Sequence, residues 1–148
     1  VNTSTPARDL LSLLQEQQLN PLVLVTFDKD VFNAIEGKEH MYLREKEGTY
    51  YTMKVGDEPA GVIGFSMSKG CPFLQIGIIK KFRKKGLFEK GIKALAKKHR
   101  FKKIYSDMEK TNKVSITAHE KFGFRPLKSS EEVERKHYST DTRLVKEF

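Results

Sequence analysis

Residues Phe82 to Gly91 read FRKKGLFEKG and set a glycine among basic side chains where an apolar run gives way to a helical pattern. The first turn of a helix exposes backbone N–H groups that have no intrahelical partner, and together with the helix dipole they favour an anion. A glycine lets the backbone approach such a ligand closely, and Arg83, Lys84 and Lys85 place positive charge beside it. The same residues taken alone also describe a solvated turn leading into a lysine-rich surface helix, so the surrounding chain has to decide. Other residue types capable of chemistry are sparse. Cys71 precedes Pro72 in what reads as a Cys-Pro turn, with no nearby base in sequence, and is a structural thiol rather than a nucleophile. It is the sole cysteine, so no internal disulfide forms, as suits a reducing compartment or simply a fold that needs no bridge. His40, His99, His119 and His137 are scattered, with no two one helical turn apart, and no metal is expected.

The elements that would position these groups must come from a chain of 148 residues, which suits one domain over residues 1–148 with a full core. Its composition, 38% hydrophobic and 32% charged with a net charge of +9, describes a basic globular protein. Such an excess speaks to partners rather than fold, and nucleic acid, a membrane surface and a polyphosphate-bearing molecule all qualify. No apolar run approaches the roughly 20 residues that span a bilayer. The stretch VNTSTPARDLLSLLQ is not signal-like, so a cytoplasmic protein with no membrane partner is expected.

Along the chain, Thr5 as N-cap, Pro6 in the first turn and leucines 10, 11, 13 and 14 predict an amphipathic helix. The run LVLVTF after Asn20-Pro21 predicts a strand, followed by a brief helix from Asp28 or Asp30 to Ile35 that Gly37 stops. TYYTMKV and GVIGFSM read as strands separated by a turn, GDEPA, and FLQIGII reads as the strand that leads into the basic loop. Leu87, Phe88, Ile92, Leu95 and Ala96 recur at helical spacing up to His99, with Lys90, Lys93 and Lys97 on another face. KIYSDM predicts a further strand, Asn112 caps a helix that ends at Gly123, the charged stretch 129–136 reads as a loop or solvated helix, and TRLVKEF supplies a last strand. This order predicts a mixed α/β fold, a largely antiparallel central sheet flanked by helices.

Two segments resemble the GCN5-related N-acetyltransferases, which move an acyl group from acyl-CoA to an acceptor. In IGIIKKFRKKGLF, Arg83, Gly86 and Phe88 fall on the family pattern of Arg or Gln, two residues, Gly, one residue, then Gly or Ala, with Ile78 and Phe82 at the apolar and aromatic positions before it. In NKVSITAHEKFGF, Asn112, Ser115, Glu120, Lys121, Gly123 and Phe124 fit the late motif. The upstream GDEPAGVIGF is similar to the family's central hairpin, and the resemblance covers roughly Tyr50 to Leu127. It departs from the pattern at Phe88, where a small residue is common, and at Lys80, where proline is frequent. Phe88 implies either a displaced helix start or a side chain turned into the core.

The resemblance implies acetyl-CoA as donor, no metal, and direct attack of an amine on the thioester. It implies that FLQIGII splays from KIYSDM, with the pantetheine arm pairing to backbone near Ile76 and Ile78 and an N–H around Ile78 facing the thioester oxygen. The pyrophosphate would lie on Arg83, Lys84, Lys85, Gly86, Leu87 and Phe88, with Asn112 and Ser115 beside the cofactor. His119 stands where many members carry a tyrosine that acts as general acid on the CoA sulfur. Two readings stand for it: an imidazole that protonates the thiolate or relays a proton, or a histidine hydrogen-bonded in the helix face that packs on the sheet. Asp107 and Glu109 share one strand face at period two, either as candidate general base or as solvated charge. Gln75, where some relatives carry a carboxylate, would orient a water. The Lys90, Lys93 and Lys97 face is either solvated surface or a dock for an anionic macromolecule. No aromatic or amide side chain accompanies it to read bases. The rival to an enzyme is accordingly a non-catalytic module of the same fold that holds nucleic acid or a protein assembly through this face. The acceptor is not legible, since the resemblance places its specificity around residues 27–44 and in the late hairpin, where the match is weakest.

Overall fold

The alternating runs form one seven-stranded sheet in a computed structural model that describes residues 21–135 and 139–148. In chain order the elements are β1 (Leu22–Thr26), α1 (Lys29–Asn33), β2 (Gly48–Val55), β3 (Glu58–Ser68), β4 (Cys71–Ile78), α2 (Leu87–His99), β5 (Lys103–Glu109), α3 (Lys113–Lys121), β6 (Arg125–Pro126) and β7 (Asp141–Glu147). Short 3-10 turns occupy Lys38–His40, Lys80–Phe82 and Ser129–Glu131. The spatial order is β1-β2-β3-β4-β5-β7-β6, antiparallel throughout except for the parallel β4/β5 pair. The helix expected from Thr5 lies outside the described residues.

Most boundaries follow from local chemistry. Asp28 caps α1, its side chain accepting from the Asp30 N–H at 2.9 Å, and Gly37, at φ 86°, supplies the left-handed step beyond it. α2 runs over the span that its apolar spacing predicted. Three expectations are corrected. The turn read as GDEPA is tighter: Gly56 and Asp57 make it, β3 starts at Glu58, and the register shift at Met53/Lys54 leaves Ala60 as the extra, bulged residue between Pro59 and Gly61. Cys71 and Pro72 are not a turn but the paired start of β4, because Lys69 and Gly70, both at positive φ, make the hairpin bend. The charged stretch after Lys128 is not simply solvated, since Glu131 is buried within it.

The sheet separates two apolar layers. Met53, Ile63, Phe65, Leu74, Ile104 and Met108 face α2 and α3 and pack with Ile92, Leu95, Phe124 and Leu144. Gly91 lets α2 sit close, for a Cβ there would lie 2.8 Å from the Met53 sulfur. On the other face Val31 of α1 and Ile35 just beyond it cover Tyr50 and Val62. Burial of apolar side chains on both faces is what stabilises the central strand β3 as a nearly continuous buried run.

Candidate active site

β4 and β5 share a single ladder pair, Phe73 with Tyr105, and toward Ile78 and Glu109 no further pair joins them among the described residues. The splay implied by the resemblance is thus present as an unladdered gap. The Ile79 N–H turns toward β3, donating to the Ala60 carbonyl at 2.8 Å, so by strand alternation the backbone groups of Ile76 and Ile78 face the gap. Both strands run the same way, which brings the loop after β4 and Asn112 after β5 to one end of that gap.

The basic loop closes this end. Lys84 and Gly86 both adopt left-handed backbone, φ 61° and 77°, and Gly86 is the N-cap of α2 with no side chain bonded to the exposed N–H groups. A Cβ at Gly86 would meet nothing within 4 Å, so the space over the helix start is open and the glycine answers to its φ. Leu87 buries its side chain and leaves its backbone N–H in the first turn. These features fit a diphosphate. Arg83 does not project outward: its Nε donates to the Ile78 carbonyl at 2.9 Å and its other end to the Glu36 carbonyl. Glu36, which sequence reasoning missed, also accepts from the Lys80 N–H at 3.1 Å, and that bond, helped by the Arg83 and Lys80 charges, lowers its pKa. Lys80 therefore contributes its backbone here, while Lys85 lies over the Phe82 ring, its Nζ 5.9 Å from the centroid.

Phe88 turns into the core, edge-on to His119 with 4.9 Å between ring centroids, and the helix start is not displaced from Gly86. His119 is buried between Phe88 and Phe124. Its Nδ1–H donates to the Ser115 carbonyl at 2.7 Å, which leaves Nε2 to accept from the Ser106 hydroxyl at 2.9 Å. Burial lowers its pKa, and the Ser115 carbonyl only partly opposes this. That is the geometry of a neutral histidine hydrogen-bonded in the helix face, the second of its two readings. Asn112 caps α3, its side chain accepting from the Ser115 N–H at 3.2 Å. Neither Asn112 nor Ser115 is turned wholly to a ligand: the Ser115 hydroxyl sits 3.4 Å from His119 Nδ1.

Asp107 is held in a two-point ion pair by Arg143, at 2.6 and 2.9 Å, across the β5/β7 ladder. Glu109, one step further along the same face, is 37% exposed, with His40 Nδ1 3.6 Å away. The two carboxylates that the sequence treated alike thus differ, and no spacing signal announced Arg143 or His40. Gln75 does not hold a water by its carbonyl end, which instead accepts from the Tyr42 N–H at 3.2 Å. Lys90, Lys93 and Lys97 are exposed on α2. Among the described residues no group of His, Cys, Asp and Glu is arranged to hold a metal.

A family model described as the acetyltransferase (GNAT) family matches residues 10–124. No curated protein matches the sequence significantly. Among solved structures, an acetyltransferase from Thermus thermophilus superposes with a TM-score of 0.65 at 16% identity, covering 88% of this chain and 99% of the other. The spermidine N-acetyltransferase SpeG of Vibrio cholerae gives 0.64 at 14% identity, over 85% and 93%. The ribosomal α-N-protein acetyltransferase RimL, in complex with coenzyme A, gives 0.58 at 13% identity, over 85% and 93%. At these identities the likeness is one of fold.

Proposed function

From the premise that this chain belongs to the acetyltransferase (GNAT) family, we propose that it transfers the acetyl group of acetyl-CoA to an amine by direct attack on the thioester. One observation carries the reading: the unladdered β4/β5 gap and the uncapped α2 start at Gly86 open at the same end, a diphosphate site continuous with a slot for an extended arm. In this reading the N–H groups from Lys85 to Phe88 hold the pyrophosphate, with the Lys84 and Lys85 charges beside it. Arg83 and Glu36 brace the loop, Arg83 through the Ile78 and Glu36 carbonyls and Glu36 through the Lys80 N–H. The gap-facing N–H of Ile76 or Ile78 donates to the thioester oxygen as negative charge develops on it.

The amine forms the new C–N bond, the C–S bond breaks, and sulfur leaves as thiolate. The proton lost by nitrogen passes to Glu109, directly or through water, because Asp107 is committed to Arg143. We assign His119 a positioning role: it ties α3 to β5 through Ser106 and so sets the wall of the gap. The test is amine-dependent release of CoA thiol from acetyl-CoA. Turnover that depends on Glu109 supports the assignment, and binding of acetyl-CoA without turnover of any amine contradicts a catalytic role.

A second reading rests on the exposed Lys90, Lys93 and Lys97 row, a dock for an anionic macromolecule with the fold as scaffold. Its signature would be salt-sensitive binding to a polyanion that acetyl-CoA leaves unchanged.

A further inference from the structure

The sheet face that carries α1 is the one from which an acceptor would reach the gap, since Tyr105, Asp107 and Glu109 share it by alternation. Two segments cross this face. The first is held by the Tyr42 N–H on Gln75 and by the Arg44 N–H on the Tyr50 hydroxyl at 2.9 Å. The second carries Arg135, whose guanidinium lies 4.1 Å from the centroid of Phe73 and donates to the Ser66 hydroxyl at 3.1 Å. Phe73 is also the residue at which β4 and β5 last pair, so Arg135 stands over the closed end of the gap.

Arg135 and Arg143 both lie over Phe73, and the charge of Arg44 also reaches Arg135. Arg143 also lies over Phe73, at 5.0 Å, but it is occupied by Asp107. Among the described residues the ion-pair partner of Arg44 is Glu47, at 3.6 Å and 71% exposed. Arg135 has no carboxylate within ion-pair distance among the described residues. Burial lowers its pKa, as do the charges of Arg44 and Arg143, with Asp107 opposing. Half-burying a guanidinium beside two others is costly, and an arriving anion offsets that cost. An aromatic floor, a rigid fork and a second cation nearby suit a planar or tetrahedral oxyanion.

We propose that this cluster is the acceptor site, and that the acceptor is a small amine bearing its own oxyanion, a carboxylate or a phosphate, which pairs with Arg135 and Arg44. A polyamine, by contrast, would bring cations to cations. The proposal rests on the acetyl-transfer reading and adds to it the chemical class of the acceptor.

The test uses matched pairs at saturating acetyl-CoA: the free amino acids against their amides, and phosphoethanolamine against ethanolamine, with spermidine as a third arm. One anionic member is expected to exceed its neutral counterpart in kcat/KM by about tenfold to a hundredfold, the range for a charged hydrogen bond. The carboxylate and phosphate arms distinguish the two sources. Arg135→Ala should raise the KM of that acceptor by a similar factor while the acetyl-CoA affinity, measured by titration calorimetry, stays unchanged. Arg135→Lys, with its melting temperature recorded, should recover part of the loss. Neutral amines or spermidine used as well as the anionic ones, or an Arg135→Ala enzyme with unaltered KM, would overturn the proposal. So would acetyl-CoA binding with no anionic amine accepted, whereas no acetyl-CoA binding at all would bring down the reading beneath it.

Discussion

At the scale of single residues, the structure separates groups that share a residue type. Glu109 and Asp107 are both carboxylates on one strand face, yet Arg143 occupies one and leaves the other beside His40 at the end of β5. Glu109→Gln should therefore lower kcat by about a hundredfold or more, the usual weight of a positioned base, without altering acetyl-CoA affinity. Asp107→Asn should act mainly through stability, read from its melting temperature. His119 carries a pH signature. Its folded pKa is lowered by burial, so below about 6.5 the unfolded chain takes up a proton first. Stability is then full above that pH and declines as pH falls toward the folded pKa. Urea unfolding at successive pH values should show this decline in the wild type and a weaker one in His119→Ala. The turnover of His119→Ala should fall while its pH profile keeps the wild-type inflections; loss of an inflection would restore a general-acid role. The sequence located His119 but could not choose between its readings, because the choice depends on Ser106, thirteen residues earlier on β5.

At the scale of elements, what was legible is what local periodicity and capping determine. α2 fell where its apolar spacing put it, α3 follows its Asn112 cap, and Gly86 marks a left-handed helix start. Gly86→Val should cost about 1–2 kcal/mol through its positive φ and abolish tight acetyl-CoA binding by covering the helix N–H groups, with far-UV circular dichroism checking that the fold persists. What was not legible came from pairing across distance. The two-residue β6 has no periodicity to find, β3 extends into turn-like residues with a bulge at Ala60, and Arg83 proved to brace the loop through Ile78 and Glu36. The motif gives the loop's chemistry without saying which side chains serve the ligand and which serve the loop.

At the scale of the whole molecule, one buried cluster ties the late segment to the sheet. Glu131 accepts from Arg125 at 2.7 and 3.0 Å, from Lys103 at 2.7 Å and from the Lys128 N–H at 2.8 Å. The Arg125 and Lys103 bonds hold its carboxyl far below the usual range. A depressed carboxylate contributes stability above the unfolded value of about 4.3 and loses it as pH falls further. Glu131→Gln should accordingly lower the melting temperature at neutral pH and flatten the acid limb of the stability profile; an unchanged acid limb would remove Glu131 from it. The same cluster anchors the segment that presents Arg135, so the charged stretch that composition alone would leave in solvent shapes the acceptor face. The net charge of +9 predicts that donor binding weakens with added salt. The account as a whole depends on the gap and the Gly86 helix start forming one site. Isothermal titration of acetyl-CoA into the wild type and into Gly86→Val tests this most directly. Micromolar binding to the wild type, lost in the variant while its fold persists, is the predicted result. Equal affinity in both, or no binding to the wild type, would contradict it.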